Sequence, residues 1–366
     1  MKRMPIISPL FPDITELQDE IGLILASGQV SNGKYVQRLE SDVADYLGVK
    51  HFVTFCNGET ALIAMLAVAQ LSGEVIIPAY TFVGTPHALL WNRLTPVLAD
   101  VDPQTWTIDP KEIEARIGVK TSAILAVPIL GNPAHNDVLA EIAERHQLAL
   151  LFDSAQGFGS TYRGKHIGNF GLTESFSFHA TKVFSTMEGG GVATHDEGMR
   201  NRLVAIRNFG KVGQDCQMLG LNGKMTEIAA LVGLKNLQIL DSHIRHRQEL
   251  VARYQEQLRG IPGIQFQGVT PGALVAPHLF QILTPRRDEI IGVLGQHNIE
   301  ARSFMSPPLY DLSFYLQHEQ YPIAEQIAYT SVALPLHSNM RIEEVDRVCS
   351  IIKELYEIMP STSNLQ

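Results

Sequence analysis

The order of apolar segments along the chain predicts an α/β fold: a large domain with a mostly parallel central sheet flanked by helices, plus a smaller C-terminal α/β domain. Three observations carry this. Short apolar runs alternate with helical patterns between Val53 and Thr194. Several runs, such as Ala149-Leu150-Leu151-Phe152, are continuously apolar, as expected of strands buried on both faces. Beyond Thr226 a long helical pattern gives way to a different texture of short strands and helices.

The expected strands are His51–Phe55, Glu74–Ile77, Pro96–Ala99, Ala123–Val127, Ala149–Phe152, Glu174–Phe178 and Gly191–Thr194. Helices are expected at Thr60–Gln70 and Asp137–His146, then from Thr226 to about Gly260. The second part reads as strands Ala276–Thr284 and Ile299–Phe304 with helices Asp288–Gln296 and Glu343–Ile358. With 366 residues the chain exceeds the roughly 250–300 that one core usually organises. The division is therefore set at residues 1–240 and 241–366, inside or just after the long helix. The polar tail Pro360–Gln366 is expected to fray.

Composition narrows the function classes. At 45% hydrophobic and 18% charged residues, the chain has ample material for a core. A formal net charge of −9 with scattered basic residues argues against a nucleic-acid partner. The densest basic group, Arg245-His246-Arg247, is expected on a solvated helix face. Three cysteines, Cys56, Cys216 and Cys349, make no disulfide framework, and no histidine spacing suggests a metal site. The early basic residues precede no long apolar run, and no stretch suits a membrane span, so a cytoplasmic location is expected.

In open α/β sheets ligands bind beyond the carboxyl ends of the strands. After Phe55 come Cys56-Asn57-Gly58-Glu59-Thr60, which either cap the next helix or offer its free amides to a phosphate. Asp153 ends the apolar run Ala149–Phe152, where it either caps the following turn or meets a ligand cation, a protonated pyridine nitrogen being one candidate. Lys182 follows Glu174–Phe178; it is either an ordinary surface lysine or a desolvated amine fit for imine chemistry, with Ser177 a hydroxyl suited to a phosphate. Together, phosphate cup, strand-end Asp and strand-end Lys describe what pyridoxal phosphate requires. Gly157-Phe158-Gly159 is no dinucleotide fingerprint, because the position needing its third glycine is Tyr162.

These residues belong to an ordered series over nearly the whole chain. It comprises Val30-Ser31-Asn32-Gly33-Lys34, Tyr46-Leu47-Gly48-Val49, Asn57-Gly58-Glu59-Thr60-Ala61-Leu62 and Gly73-Glu74-Val75-Ile76 with Thr81-Phe82. It continues with Val101-Asp102 before Ile108-Asp109, Asp153-Ser154-Ala155-Gln156 and Ser175 to Lys182. Glu188-Gly189-Gly190 and Gly220-Leu221-Asn222-Gly223-Lys224-Met225 close it. In this series the chain resembles the DegT/DnrJ/StrS-type sugar aminotransferases, a branch of the fold-type I pyridoxal-phosphate-dependent transferases.

The resemblance implies that Lys182 carries pyridoxal 5′-phosphate as a Schiff base and moves protons, while Asp153 pairs with the ring nitrogen. It implies Gln156 near the phenolic oxygen, Phe82 on the ring face, and Gly58, Glu59, Thr60 and Ser177 around the phosphate. Asn222, and with it Lys224, would reach the site from the other subunit of a homodimer. L-glutamate would donate the amino group to a nucleotide-linked sugar. Gly131-Asn132-Pro133 and the short loop Phe209–Gly220 look like the VioA-type 4-aminotransferases, which makes dTDP-4-keto-6-deoxy-D-glucose the lead substrate.

Two positions depart from the family pattern. Glu59 stands where Thr or Ala is usual, which brings a carboxylate near a phosphate; either it turns outward or the phosphate contacts are rearranged. Tyr310 stands where many relatives carry His in a segment lining the sugar site. One rival reading is a deoxysugar dehydratase, whose relatives replace the Schiff-base lysine with His. The other is a non-catalytic regulatory or sensor protein on the same fold; Lys182 argues against the first, and intact Asp153 and Lys182 against the second.

Overall fold

The structure is a computed structural model that describes residues 3–9, 11–315 and 319–358, so the polar tail from Pro360 lies outside the described residues. In chain order, α1 (Gln18–Ser27) and α2 (Lys34–Leu47) precede β1 (His51–Phe55), α3 (Gly58–Val68), β2 (Glu74–Pro78) and α4 (Gly84–Trp91). Then come β3 (Thr95–Ala99), α5 (Pro110–Arg116), β4 (Thr121–Ala126), α6 (Asn136–His146) and β5 (Ala149–Asp153). Next are β6 (Thr173–Ser177), β7 (Gly190–Thr194), α7 (Glu197–Arg207) and the 32-residue α8 (Glu227–Leu258). The chain continues through β8 (Gln265–Phe266), β9 (Phe280–Leu283), α9 (Arg287–Gln296), α10 (Pro322–Thr330), β10 (Ser331–Leu334) and α11 (Ile342–Ile358).

Seven strands form one sheet in the order β1-β7-β6-β5-β4-β2-β3. The pairs among β2 to β6 are parallel, and only β7 runs antiparallel to its neighbours β1 and β6. All seven expected strands form, with ends displaced by no more than two residues. Helix α3 lies directly on the sheet with Ala61, Leu62, Ala64, Met65, Leu66 and Val68 buried, so it is apolar nearly all round. Close approach is what Gly190 provides: a Cβ there would stand 2.6 Å from the Phe176 carbonyl oxygen and 2.7 Å from Gly58 Cα. Across the second part β8, β9 and β10 form a small antiparallel sheet, covered by α8, α9 and α11.

Helix α8 ties two cores together. Its early residues Ala229, Ala230, Leu234, Leu240 and Ile244 pack with α2 and the aromatics Phe158, Phe178 and Phe184. Further on, Leu250, Tyr254 and Leu258 join Phe280, Ile282 and the inner face of α11. The expected division at residue 240 thus falls inside this helix, whose buried side chains change core between Ile244 and Leu250. Met4 joins the second core despite its place at the start of the chain.

Three local expectations are corrected. Arg247 is not on a solvated face but fully buried, donating from Nε to the Pro277 carbonyl and from an Nη to the His278 carbonyl, both at 2.7 Å. Of that basic group Arg245 is exposed and His246 half-buried. The strand expected at Ala276–Thr284 shrinks to β9, because Pro277 has no N–H and the carbonyls of 277 and 278 are taken by Arg247. The strand expected at Ile299–Phe304 is absent: Arg302 pairs with Ala333 and Ile299 with Met4 as isolated bridges, and Met305 then turns into the left-handed region (φ 58). Neither α4 nor β10 was foreseen.

Replacing Arg247 with Leu should cost about 2–3 kcal/mol in urea unfolding, because two buried carbonyls lose their donor. Arg245→Leu should move stability by less than about 0.5 kcal/mol. Equal effects from the two would refute this account of the buried guanidinium.

Candidate functional site

The parallel strands deliver their carboxyl ends to one edge of the sheet, and a cavity of about 410 Å³ opens there. From the strand ends it receives Asn57, Gly58 and Glu59 after β1, Thr81, Phe82 and Thr85 after β2, and Asp153, Ala155 and Gln156 at β5. Ser177, His179, Thr181 and Lys182 follow from β6. His278, Arg302 and Phe304 close it from the second part of the chain.

At one end the N-terminus of α3 faces Ser177. Asn57 caps the helix by accepting from the Thr60 amide at 2.8 Å, which leaves the amides of Gly58 and Glu59 for an anion. Gly58 must lack a side chain, since a Cβ would meet Ser177 Cβ at 2.5 Å and Ser177 Oγ at 2.8 Å. The close approach puts the Ser177 hydroxyl at the start of α3, where with the free amides it makes a cradle of the polarity a phosphate needs. Thr60 does not line the cavity; its amide serves the cap and its hydroxyl accepts from Cys56 Sγ at 3.6 Å.

At the other end Asp153 is buried (7% exposed). Loss of hydration pushes its carboxyl pKa up, against opposing contributions from Thr85, the Ala155 amide and Lys182. Thr85 Oγ1 donates to Oδ2 at 2.7 Å, while Oδ1 has only a long 3.3 Å contact from the Ala155 amide. A carboxylate so placed has acceptor capacity to spare and gains from any cationic N–H presented to it. Thr81 and Thr85 share a further hydrogen bond at 2.9 Å, which fixes the Thr85 rotor. Gln156 accepts from the Leu130 amide at 2.8 Å through Oε1, so its amide nitrogen is the end left for a ligand. Phe82 is 59% exposed at the cavity edge, an apolar face without a partner.

Lys182 stands between these ends. Desolvation lowers its pKa to about 8, with Asp153 acting in the opposite sense. A substantial fraction of the amine is therefore neutral, and nucleophilic, near physiological pH. Beside it His278 is buried, and desolvation followed by the Lys182 charge holds its pKa well below the usual value. A neutral imidazole adds no charge to compete with the amine.

Phosphate cradle, buried carboxylate, desolvated amine and open aromatic face lie in one cavity and could together hold pyridoxal 5′-phosphate. Sequence reasoning anticipated the residues at the strand ends but missed Thr85, His278 and Arg302. Thr85 lies 68 residues from Asp153 and carries no spacing signal. His278 and Arg302 come from the part of the chain whose strands were misjudged. With Thr60, four expected site residues stand outside the cavity of their own chain. Asn222 is exposed, Lys224 donates to Asn208 Oδ1 at 3.2 Å and lies over the Phe209 ring, and Tyr310 is buried with its ring 5.0 Å from Tyr321. The Tyr310 hydroxyl donates to the Tyr321 carbonyl at 3.4 Å inside the core. Among the described residues no cluster of His, Cys, Asp and Glu could hold a metal, and no helix is long and apolar enough to cross a membrane.

Comparison with known proteins gives a consistent picture. The profile of the DegT/DnrJ/EryC1/StrS aminotransferase family matches residues 13–353. A dTDP-4-amino-4,6-dideoxy-D-glucose transaminase of Shigella dysenteriae is 33% identical over 96% of this chain and 98% of its own length. A GDP-perosamine synthase of Caulobacter vibrioides is 32% identical over 89% and 91%. The solved structure of DesI in the presence of its TDP-sugar product superposes with a TM-score of 0.91, at 33% identity, covering 97% of this chain and 93% of that one.

Two outcomes follow from the site geometry. In the apoprotein, labelling of Lys182 by an amine-reactive probe should rise with a midpoint near pH 8, measured by mass spectrometry of its peptide; a midpoint near 10.4, the value of an exposed lysine, would contradict it. Thr85→Val removes the donor to Asp153 and should weaken pyridoxal phosphate binding about tenfold or more in a fluorescence titration.

Proposed function

Because this chain belongs to the DegT/DnrJ/EryC1/StrS aminotransferase family, and so is a pyridoxal-phosphate-dependent sugar aminotransferase, we propose that it aminates dTDP-4-keto-6-deoxy-D-glucose with L-glutamate as donor. The observation that carries this reading is the desolvated Lys182 amine sharing a cavity with the buried Asp153 carboxylate.

In this reading the cofactor, when bound, supplies an electron sink for cleaving a C–H bond next to nitrogen. Lys182 would hold it through its amine and, as a base when free, would carry the proton to and from the reacting carbon. Asp153, held by Thr85, keeps the ring nitrogen protonated. Phe82 would offer its face to the ring, and Gln156 its amide nitrogen to an oxygen of the ligand. The amides of Gly58 and Glu59 with the Ser177 hydroxyl take the phosphate. Thr60 holds that cup in shape through the Asn57 cap rather than touching the ligand.

Amination at carbon 4 is supported by the name of the Shigella dysenteriae relative and by the likeness at Gly131-Asn132-Pro133. A GDP-linked keto sugar is the second reading, favoured by the GDP-perosamine synthase at nearly equal identity. A cytoplasmic homodimer is part of the proposal. Trp91 (77% exposed), Leu219 (93%) and Phe314 (72%) form an apolar patch beside α4 that a second copy would cover. Asn222 and Lys224 of the partner subunit would then complete the site.

Purified protein incubated with L-glutamate and a panel of dTDP- and GDP-linked keto sugars should release 2-oxoglutarate with the dTDP-4-keto-6-deoxy sugar most rapidly. Preference for a GDP sugar selects the second reading, and turnover only with simple keto acids overturns both. Borohydride should fix the cofactor on the Lys182 peptide; trapping that persists in Lys182→Ala would refute the anchor.

A further inference from the structure

Glu59 is the one residue of the α3 cradle whose side chain has no place in a phosphate cup, and its surroundings define what it does. The carboxyl folds over the start of α4: a Cβ on Gly84 would lie 2.5 Å from Glu59 Oε2 and 3.6 Å from Cδ, with Phe82 on the other side at 3.5 Å. It neither turns away from the cavity nor finds a partner, since among the described residues no hydrogen bond or ion pair reaches its oxygens. The charge nearest in effect is Asp153, of the same sign, from β5. The Tyr315 phenol on the neighbouring loop feels the Glu59 charge in turn. Of the cavity's other charged and titratable groups, Lys182 and His278 sit deeper and Arg302 lies at the rim. His179 is turned to Glu188, with Nε2 3.3 Å from its carboxylate.

An unneutralised carboxylate at the second position of the helix whose free amides bind the cofactor phosphate faces a second anion each time the cofactor enters. We propose that Glu59 takes up a proton when the cofactor phosphate binds, so that its carboxyl, not its carboxylate, lies beside the cradle in the loaded protein. The proton comes from solvent and returns there when the cofactor leaves. Glu59 is exposed to solvent at the cavity, yet partial desolvation there, then Asp153, raises its pKa to about 7 before any phosphate arrives, so the uptake costs little near neutrality and more as pH rises. Occupation of the cradle therefore weakens above neutral pH in this chain, a property conferred by one side chain. This rests on the phosphate binding at Gly58 and Ser177.

The test uses pyridoxine 5′-phosphate, which has no aldehyde and cannot condense with Lys182, titrated into apoprotein between pH 7 and 9. Its phosphate is already a dianion over this range, given a second pKa of about 6. Lys182 loses its proton in the same window and contributes a slope common to wild type and variant. The expected result is that wild-type Kd rises about tenfold more between pH 7.5 and 8.5 than Kd of Glu59→Gln, one proton per binding event. Glu59→Thr should behave like Glu59→Gln, and unphosphorylated pyridoxine should distinguish none of them. Equal slopes in wild type and Glu59→Gln overturn the proposal. Failure of every protein to favour the phosphorylated ligand overturns the cradle assignment instead, and the proposal with it.

Discussion

The cost of burying the Asp153 carboxylate organises this molecule's working end. A charge at the end of a central parallel strand, flanked by strands on both sides, cannot be hydrated from within the sheet. The chain meets that cost only in part, through one hydroxyl from α4 and one weak backbone contact. Everything near it is arranged around the remainder. Thr81, from the loop after β2, steadies Thr85 at the start of α4, and Lys182 is held close enough for the two charges to influence each other but without a salt bridge that would neutralise them. Incomplete satisfaction here is what leaves the site receptive to a cationic ring.

The same economy appears in how the second part of the chain is fastened to the first. Asp100, at the end of β3, accepts from the amides of Ile323 and Ala324 and so caps α10 across more than 200 residues. Arg247 holds the backbone at Pro277 and His278, which brings an imidazole to the back of the cavity. Within the first part, Glu227 likewise closes the start of α2 by accepting from the amides of Gly33, Tyr35 and Val36. Each is a buried charged group spent on backbone donors or acceptors rather than on an opposite charge. Such contacts fix direction as well as distance, and a site assembled from distant segments requires both.

Much of this was legible in the sequence. Continuous apolar runs gave the sheet because strands buried on both faces admit little else, and residues after each run fell at one edge because parallel strands share a direction. Gly58, Asp153, Ser177 and Lys182 were singled out that way, and Gln156 by the resemblance. Thr85 was not, since a hydroxyl on a short apolar helix has no signature until the partner is in place. Arg247 was misread because a basic cluster on a helix says nothing about which member turns inward. Tyr310 was placed by resemblance in a lining segment, and packing of its ring against Tyr321 has no sequence signal. The second part was read least well: its strands are short, and Pro277, Pro307 and Pro308 break the pattern that periodicity depends on.

Helix α8 has a consequence for how a bulky substrate gets in. One unbroken rod of 32 residues enters both cores, and Arg247 clamps the second part to it halfway along. Swinging one core away from the other would require bending that rod and stripping a guanidinium from its carbonyls. Admission and departure are therefore left to the doorway itself, where Phe82, Arg302 and the turn from Met305 frame the opening, while the walls behind stay still.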